Sequence, residues 1–287
     1  MPYPIHEIKK YAFPERMHEI PDPPEKLYIR GRDIDPNTPC LAVVGARKYS
    51  EYGRRATEQL IRGLSGTDIY IVSGLALGID AIAHESALRA NLKTIAVPGS
   101  GLDDSVLYPR SNFSLAQAIL NEGGTLVSEF PSDTRAAPWC FPQRNRIMAG
   151  LATAVLVIEC ETRSGTLITA RLATDYNRDV LTVPGSIFSP QSDGPHMLLR
   201  LGATPITTSE DILDALHIES LATTPTAPDT NLTEIDRAII DLLPATRDEI
   251  AITLNLPIHS LSMHISSLEL RGIIYEKLGT INTLRKS

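Results

Sequence analysis

The sequence predicts an α/β protein with a doubly wound, mostly parallel sheet, followed by a small helical domain. Three observations carry this. Short β-branched apolar runs alternate with helix-like stretches from about residue 41 to residue 216. Five of these runs end in small-residue turns: Gly45-Ala46-Arg47, Ser73-Gly74-Leu75-Ala76-Leu77-Gly78, Pro98-Gly99-Ser100-Gly101, Arg163-Ser164-Gly165-Thr166 and Pro184-Gly185-Ser186. Near residue 217 the alternation stops, and a stretch poor in apolar bulk leads into three short helical patterns.

In chain order, residues 1–39 are rich in proline and mixed charge, and read as an irregular arm ending in a short extended piece at Leu27-Tyr28-Ile29-Arg30. Strands are expected over residues 41–44, 69–73, 94–97, 125–128, 154–158, 180–183 and 204–206. Between them, residues 54–64 place Ala56, Leu60, Ile61 and Leu64 on one helical face. Residues 80–90 do the same with Ile82, Ala83, Ala87 and Leu88. Further helices are expected over 113–121, 144–151, 166–176, 195–201 and 210–216. The segments are then an arm (1–39), the α/β domain (40–217), a linker (218–231) and a tail (232–287). In the tail, helical patterns over 233–243, 247–254 and 259–271 precede a hairpin around Gly279, which fits a winged helix-turn-helix.

Bulk composition bounds the function. The chain has 287 residues, 43% of them hydrophobic, and no apolar run long enough to cross a bilayer. Residues 1–10 lack the apolar region of a signal peptide. The three cysteines, Cys40, Cys140 and Cys160, have no metal-ligand spacing and read as buried, reduced thiols of a cytoplasmic protein. A net charge of −7 argues against nucleic-acid binding by bulk charge. Locally the balance inverts. Arg47, Lys48, Arg54, Arg55 and Arg62 face only Glu51 and Glu58; Arg135, Arg144, Arg146, Arg163 and Arg171 face only Glu159 and Glu161. A polyanion held at one groove suits such patches, although arginines spread over solvated faces give the same counts.

The turns matter because a strand running through glycine into a helix N-terminus presents unpaired N–H groups and the positive end of a dipole. None matches a familiar nucleotide loop. No Gly-Lys-Ser/Thr follows a glycine turn, and Gly99-Ser100-Gly101-Leu102-Asp103-Asp104 has an acid where a dinucleotide fingerprint needs glycine. In Gly45-Ala46-Arg47, amides and a guanidinium could clamp one phosphate, and the same residues suit an ordinary turn. Asp80 and His84 share a helical face but lack a third ligand, so His84 reads as a packed, hydrogen-bonded histidine. Ser164-Gly165-Thr166 reads as a helix start whose hydroxyls can cap it, a role that does not exclude touching phosphate. Glu159 and Glu161, at the end of an apolar strand, could serve as catalytic acids, although structural or solvated carboxylates at a strand exit are the commoner case. In Phe141-Pro142-Gln143-Arg144-Asn145-Arg146-Ile147 an aromatic ring able to stack on a base adjoins two arginines able to hold phosphates; a buried anchoring Phe with surface arginines is the alternative.

Together these stretches resemble the DNA-processing protein DprA (Smf) family. The matching residues are Val44-Gly45-Ala46-Arg47, Ser73 to Asp80 with Ala83-His84, Gly99 to Asp103, Tyr108-Pro109-Arg110-Ser111-Asn112, Ser128-Glu129-Phe130-Pro131, Phe141 to Ile147, Ser164 to Ala170 and Val183-Pro184-Gly185. Leu268-Glu269-Leu270-Arg271-Gly272 looks like part of the winged-helix domain that many members carry. The resemblance implies an extended Rossmann-like domain that binds single-stranded DNA in a basic pocket, as a homodimer. It also implies that the protein loads the recombinase RecA onto incoming strands in natural transformation, without turnover and with no cofactor or metal. By position, Gly45 and Arg47 would hold backbone phosphate, Phe141 would stack or wedge against a base, and Arg144 and Arg146 would add phosphate contacts. Gly74, Gly99, Gly101, Ser164 and Gly165 would shape the rim. The sequence departs from the pattern in three places: the short arm stands where many members have a helical N-terminal domain, Ala46 replaces a common Ser, and Pro138-Trp139-Cys140 supplies no cation.

Two other classes compete. A nucleotide-processing hydrolase, similar to the lysine-decarboxylase-like phosphoribohydrolases, would need a Pro-Gly-Gly-x-Gly-Thr loop with a following glutamate. Only the end of such a loop is present, at Ser164-Gly165-Thr166. A transcription regulator would use the tail, yet six basic residues there face eight acidic ones between Asp229 and Lys286, a poor balance for groove binding.

Overall fold

The computed structural model describes residues 3–218, 232–270, 273–277 and 279–283. The chain divides into two compact units, Met1–Leu221 and Ala222–Ser287. The expected linker, apart from Ile218, lies outside the described residues.

The first unit runs β1 (Ile5–Lys9), α1 (Glu15–His18), β2 (Lys26–Gly31), β3 (Cys40–Val44), α2 (Glu51–Arg62), β4 (Tyr70–Ser73), α3 (Ile79–Arg89), β5 (Thr94–Ala96), α4 (Phe113–Asn121), β6 (Thr125–Ser128), α5 (Cys140–Leu151), β7 (Ala154–Val157), α6 (Thr166–Asp175), β8 (Asp179–Thr182), α7 (Asp193–Arg200), β9 (Thr204–Pro205) and α8 (Ser209–Ala215). All nine strands form one sheet, in the order β1-β2-β6-β5-β4-β3-β7-β8-β9. From β6 to β9 the neighbours are parallel, whereas β1–β2 and β2–β6 are antiparallel.

Alternation along the strands builds the layers. In β3, Leu41 and Val43 pack with Leu60 and Ile61 of α2, Ile82 and Ala83 of α3, and Ile212 of α8. Cys40, Ala42 and Val44 face the other way, onto Ile147 and Met148 of α5 and Ala170 and Ala173 of α6. Both faces of β3 are therefore covered, which is why its five residues read as an unbroken apolar run.

Three expectations change. The N-terminal stretch is no free arm: β2 pairs with β6, Ile29 opposite Val127, and β1 pairs with β2. Leu27 and Ile29 are buried at alternate positions, so the extended piece expected over residues 27–30 is a strand of the sheet. Next, α5 begins at Cys140 and not at Arg144, with Pro142 in its first turn, where no intrahelical N–H is required. Likewise α2 begins three residues early, capped by the Ser50 hydroxyl, which accepts from Gly53 N at 3.0 Å.

The second unit contains α9 (Glu234–Asp241), β10 (Ala245–Thr246), α10 (Arg247–Thr253), α11 (Ile258–Leu270), β11 (Ile274–Lys277) and β12 (Thr280–Thr283). Its strands form an antiparallel sheet, β10-β12-β11. Ile239, Ile250, Leu261, Ile265, Leu268, Ile274 and Ile281 make a separate core. Thr233 with Asp236, and Thr246 with Glu249, close capping boxes at the starts of α9 and α10. Among the described residues no helix is long and apolar enough to cross a membrane.

Candidate functional site

After β3 the chain steps one way to β4 and β5, and it later returns to β7 on the other flank of β3. Ligand crevices of open α/β sheets form beyond the strand ends at such a reversal. A pocket of ≈ 340 Å³ lies there, walled by Gly45–Lys48 after β3, Arg163–Thr166 before α6, and Phe141, Arg144 and Asn145 from α5.

Backbone bonds fix the first loop. Ala46 N donates to the Glu159 carbonyl at 2.9 Å, and the Ala46 carbonyl accepts from Ile79 N at 3.2 Å. The Thr166 hydroxyl donates to the Gly45 carbonyl at 3.1 Å and ties this loop to α6. Gly78, at φ 83°, makes the approach of α3 possible, because a Cβ there would lie 2.3 Å from the Ala46 oxygen. With Ala46 held on both sides, Arg47 and Lys48 project into solvent.

The helix N-termini at this edge differ. That of α2 is occupied from within: Glu159 accepts from Ser50 N at 2.6 Å and from the Ser50 hydroxyl at 2.7 Å, and a Cβ on Gly53 would strike its carboxylate. That of α6 opens on the pocket. Gly165 is exposed, and a Cβ there would meet nothing within 4 Å. The Ser164 hydroxyl accepts from Thr166 N at 3.2 Å, closing a turn just ahead of α6, whose N-cap position is Gly165 and has no side-chain cap.

The charges on the wall are unevenly matched. Arg47, Lys48 and Arg163 are exposed, and among the described residues none of them forms an ion pair, whereas Arg54, Arg89, Arg146, Arg178 and Arg247 all do. Behind them Arg144 is 5% exposed and donates to the Val97 carbonyl at 2.7 Å, while its Nε has no partner among the described residues. Burial pushes the Arg144 guanidinium down, against the pull of Asp80. Burial pushes the Asp80 carboxyl up, against Arg144 and the amides of Ala76 and Gly74. Phe141 carries the Arg47 guanidinium 5.2 Å from its ring centroid and lies 5.9 Å from the Tyr108 ring.

Of the residues singled out from sequence, Gly45, Arg47, Phe141, Arg144, Ser164 and Gly165 line this pocket. Gly74 and Gly99 stand behind it and make room: a Cβ on Gly74 would sit 1.5 Å from Arg144 Nη1, and one on Gly99 would sit 2.7 Å from the Phe141 ring. Gly101 is not on the wall. It packs against the carbonyls of Pro131 and Ser132, and its N–H donates to the Thr134 carbonyl. Arg146 points away, paired with the Glu129 carboxylate and donating to the Asp22 carbonyl. Two residues apart on α5, Arg144 and Arg146 face opposite sides, so the expected phosphate contact of Arg146 does not fit its placement.

Lys48, Asp80, Asn145, Glu161, Arg163, Thr166 and Gln191 also stand on the wall and were not among the expected binding residues. Lys48 had a signal, being the second cation after a glycine turn. Asp80 stood out only as a neighbour of His84 and Gln191 not at all, because tertiary structure brings them in from α3 and from the turn before α7. His84 is packed, as expected: Nδ1 lies 2.7 Å from the Thr94 hydroxyl, which itself donates to the Ile71 carbonyl, so the imidazole is the donor. Among the described residues no group of three or more His, Cys, Asp and Glu could hold a metal ion.

Residues 5–217 match the model of a family described as DNA recombination-mediator protein A. Protein Smf of Escherichia coli is 37% identical over 286 residues, spanning 96% of this chain and 76% of that protein. DNA processing protein DprA of Streptococcus pneumoniae is 42% identical over 211 residues, 74% of this chain and 73% of that one. A solved structure of DNA processing protein A from Helicobacter pylori, described for its single-stranded DNA binding mode, superposes with a TM-score of 0.67 at 30% identity, covering 75% of this chain and 96% of the other.

Proposed function

The chain belongs to the DNA recombination-mediator protein A family, and from that premise we propose that its switch-point pocket binds single-stranded DNA. The observation that carries this reading is the set of three exposed, unpaired cations, Arg47, Lys48 and Arg163, around a half-buried aromatic ring, Phe141. Exposed cations without carboxylate partners are free to replace the counterions of a phosphodiester chain. A ring beside them offers a base a stacking face that accepts any base. A flexible strand can deliver backbone and base together to one concavity, whereas a duplex keeps its bases inside the stack. The single-stranded DNA binding described for the Helicobacter pylori relative supports the same choice.

The first turn of α6 carries no acidic residue, so the carboxylate that the hydrolase reading needs is missing there. The protein acts by binding, without turnover. Its downstream step is the loading of RecA onto the bound strand during natural transformation, and its working form is a homodimer in the cytoplasm.

Titration of single-stranded and double-stranded oligonucleotides at several salt concentrations tests the central claim. Tighter binding of the single strand, falling log-linearly with salt, is expected. Equal affinity for duplex, or none for either, overturns it. RecA loading is tested separately, by whether the protein raises RecA's DNA-dependent ATPase on a strand already coated by a competing binding protein.

A further inference from the structure

Two depressions share the Arg47–Phe141 pair. The smaller, about 30 Å³, is bounded by Gly74, Leu77, Tyr108 and Pro109 in addition to Arg47, Ala76 and Phe141. Arg47, Ala76 and Phe141 also line the larger pocket, so the guanidinium and the ring stand between the two. Tyr108 on the far side is 45% exposed, and Leu77 beside it is 49% exposed. The Tyr108 hydroxyl makes no hydrogen bond among the described residues.

The backbone carrying this ring is pinned. Tyr108 N donates to the buried Ser100 hydroxyl at 3.3 Å, and Leu107 before it is buried. Asn112 donates to the carbonyls of Leu75 and Ala76 at 2.8 and 3.1 Å, joining this segment to the loop that carries Leu77. A large aromatic ring is thus displayed to solvent from a fixed support, with no packing role for its outer face. Little conformational freedom remains to be lost when something covers it.

We propose that Tyr108 is a second stacking platform, on which the nucleotide next to the one at Phe141 lays its base. The inference rests on the single-strand reading above. The hollow is smaller than a nucleobase, so a base lies across Tyr108 and Leu77 and does not enter. The ring centroids of Phe141 and Tyr108 are 5.9 Å apart. That exceeds the ~3.4 Å rise of a stacked strand and is within about twice it, so neighbouring bases reach separate rings only where the strand is unstacked. The strand then crosses the Arg47 partition from the larger pocket to Tyr108.

The test compares a short dT oligonucleotide with an abasic phosphodiester strand of equal length. Tyr108→Ala and Tyr108→Leu are expected to bind dT roughly five- to a hundredfold more weakly than the wild type, the range of one lost base–aromatic stack. Their affinity for the abasic strand and their salt slope stay at the wild-type values. Tyr108→Phe keeps the ring and is expected to bind dT as the wild type does. The proposal is overturned if the Leu variant binds dT normally, if the Phe variant loses as much as the Leu variant, or if the loss is equal on the abasic strand. If the wild type itself fails to bind dT, the single-strand reading falls first. Wild-type binding with an unaffected Leu variant removes only the role of Tyr108.

Discussion

The Arg47 guanidinium sits over the Phe141 ring, 5.2 Å from its centroid, and so joins the loop after β3 to the first turn of α5. A cation–π contact orients a guanidinium without neutralising it. Arg47 therefore keeps its full charge for a phosphate, over a half-buried ring that also meets Tyr108 and packs closely on Gly99. Arg47→Ala is expected to weaken binding to all sequences alike and to flatten the slope of log K against log salt by about 0.7, the share of one single-strand phosphate. Phe141→Ala is expected to weaken binding at every salt concentration with the slope unchanged. Salt-dependent titrations of the two variants separate these roles, and an unaltered slope for Arg47→Ala removes its phosphate contact.

Gly74 controls the deeper part of the pocket through Arg144. Because an added Cβ would lie 1.5 Å from Nη1, Gly74→Ala must displace a buried guanidinium from the Val97 carbonyl. Overpacking of this kind costs about 1–3 kcal/mol. Urea denaturation is expected to show that loss, and DNA affinity is expected to fall with it because the pocket floor moves. Gly165→Ala, whose Cβ meets nothing, is expected to leave stability close to the wild-type value.

Arg146 marks where sequence reading ends. The mostly parallel sheet was legible, and six of the ten residues singled out fall on the wall of one pocket, because strand periodicity and glycine turns are local signals. Arg144 and Arg146 lie on opposite faces of α5 wherever that helix begins, and which of the two meets the pocket is set by how α5 packs on the sheet and on α6. β2 joins the sheet by pairing with β6, and β1 joins it by pairing with β2, which no local pattern encodes. Asp80 reaches the pocket only because α3 packs against the loop after β3. Arg146→Ala is accordingly expected to leave the salt slope unchanged while costing stability. Glu129, with a side chain 7% exposed, would lose its partner, and breaking such a pair costs about 3 kcal/mol or more when the remaining charge stays buried. A slope flattened as much as in Arg47→Ala would instead return Arg146 to the interface.

His84 gives the fold a defined acid limit. Burial pushes its imidazole down to about 3 from the ordinary 6.5, its Nε2 has no partner among the described residues, and nearby Arg144 adds to the depression. The backbone around Ser73 pulls the other way, more weakly than burial. In the folded state the ring stays neutral between these two values, whereas in the unfolded chain it binds a proton. The unfolded state then carries more protons, so stability rises with pH across that window. The contribution is fully present above pH 6.5 and is lost as pH falls toward 3, at about 1.4 kcal/mol per pH unit. Asp80, whose carboxyl is pushed up from 3.8, acts with the opposite sign: its contribution is present at low pH and lost as pH rises through its folded value. Comparison with His84→Gln isolates the histidine, because Asp80 is common to both proteins. Urea unfolding at pH 6.5 and 4.5 is expected to show the wild type losing about 2–3 kcal/mol more than the variant, a large part of the ~5–15 kcal/mol that holds a typical domain together. Parallel losses in the two proteins would mean that His84 is protonated in the fold.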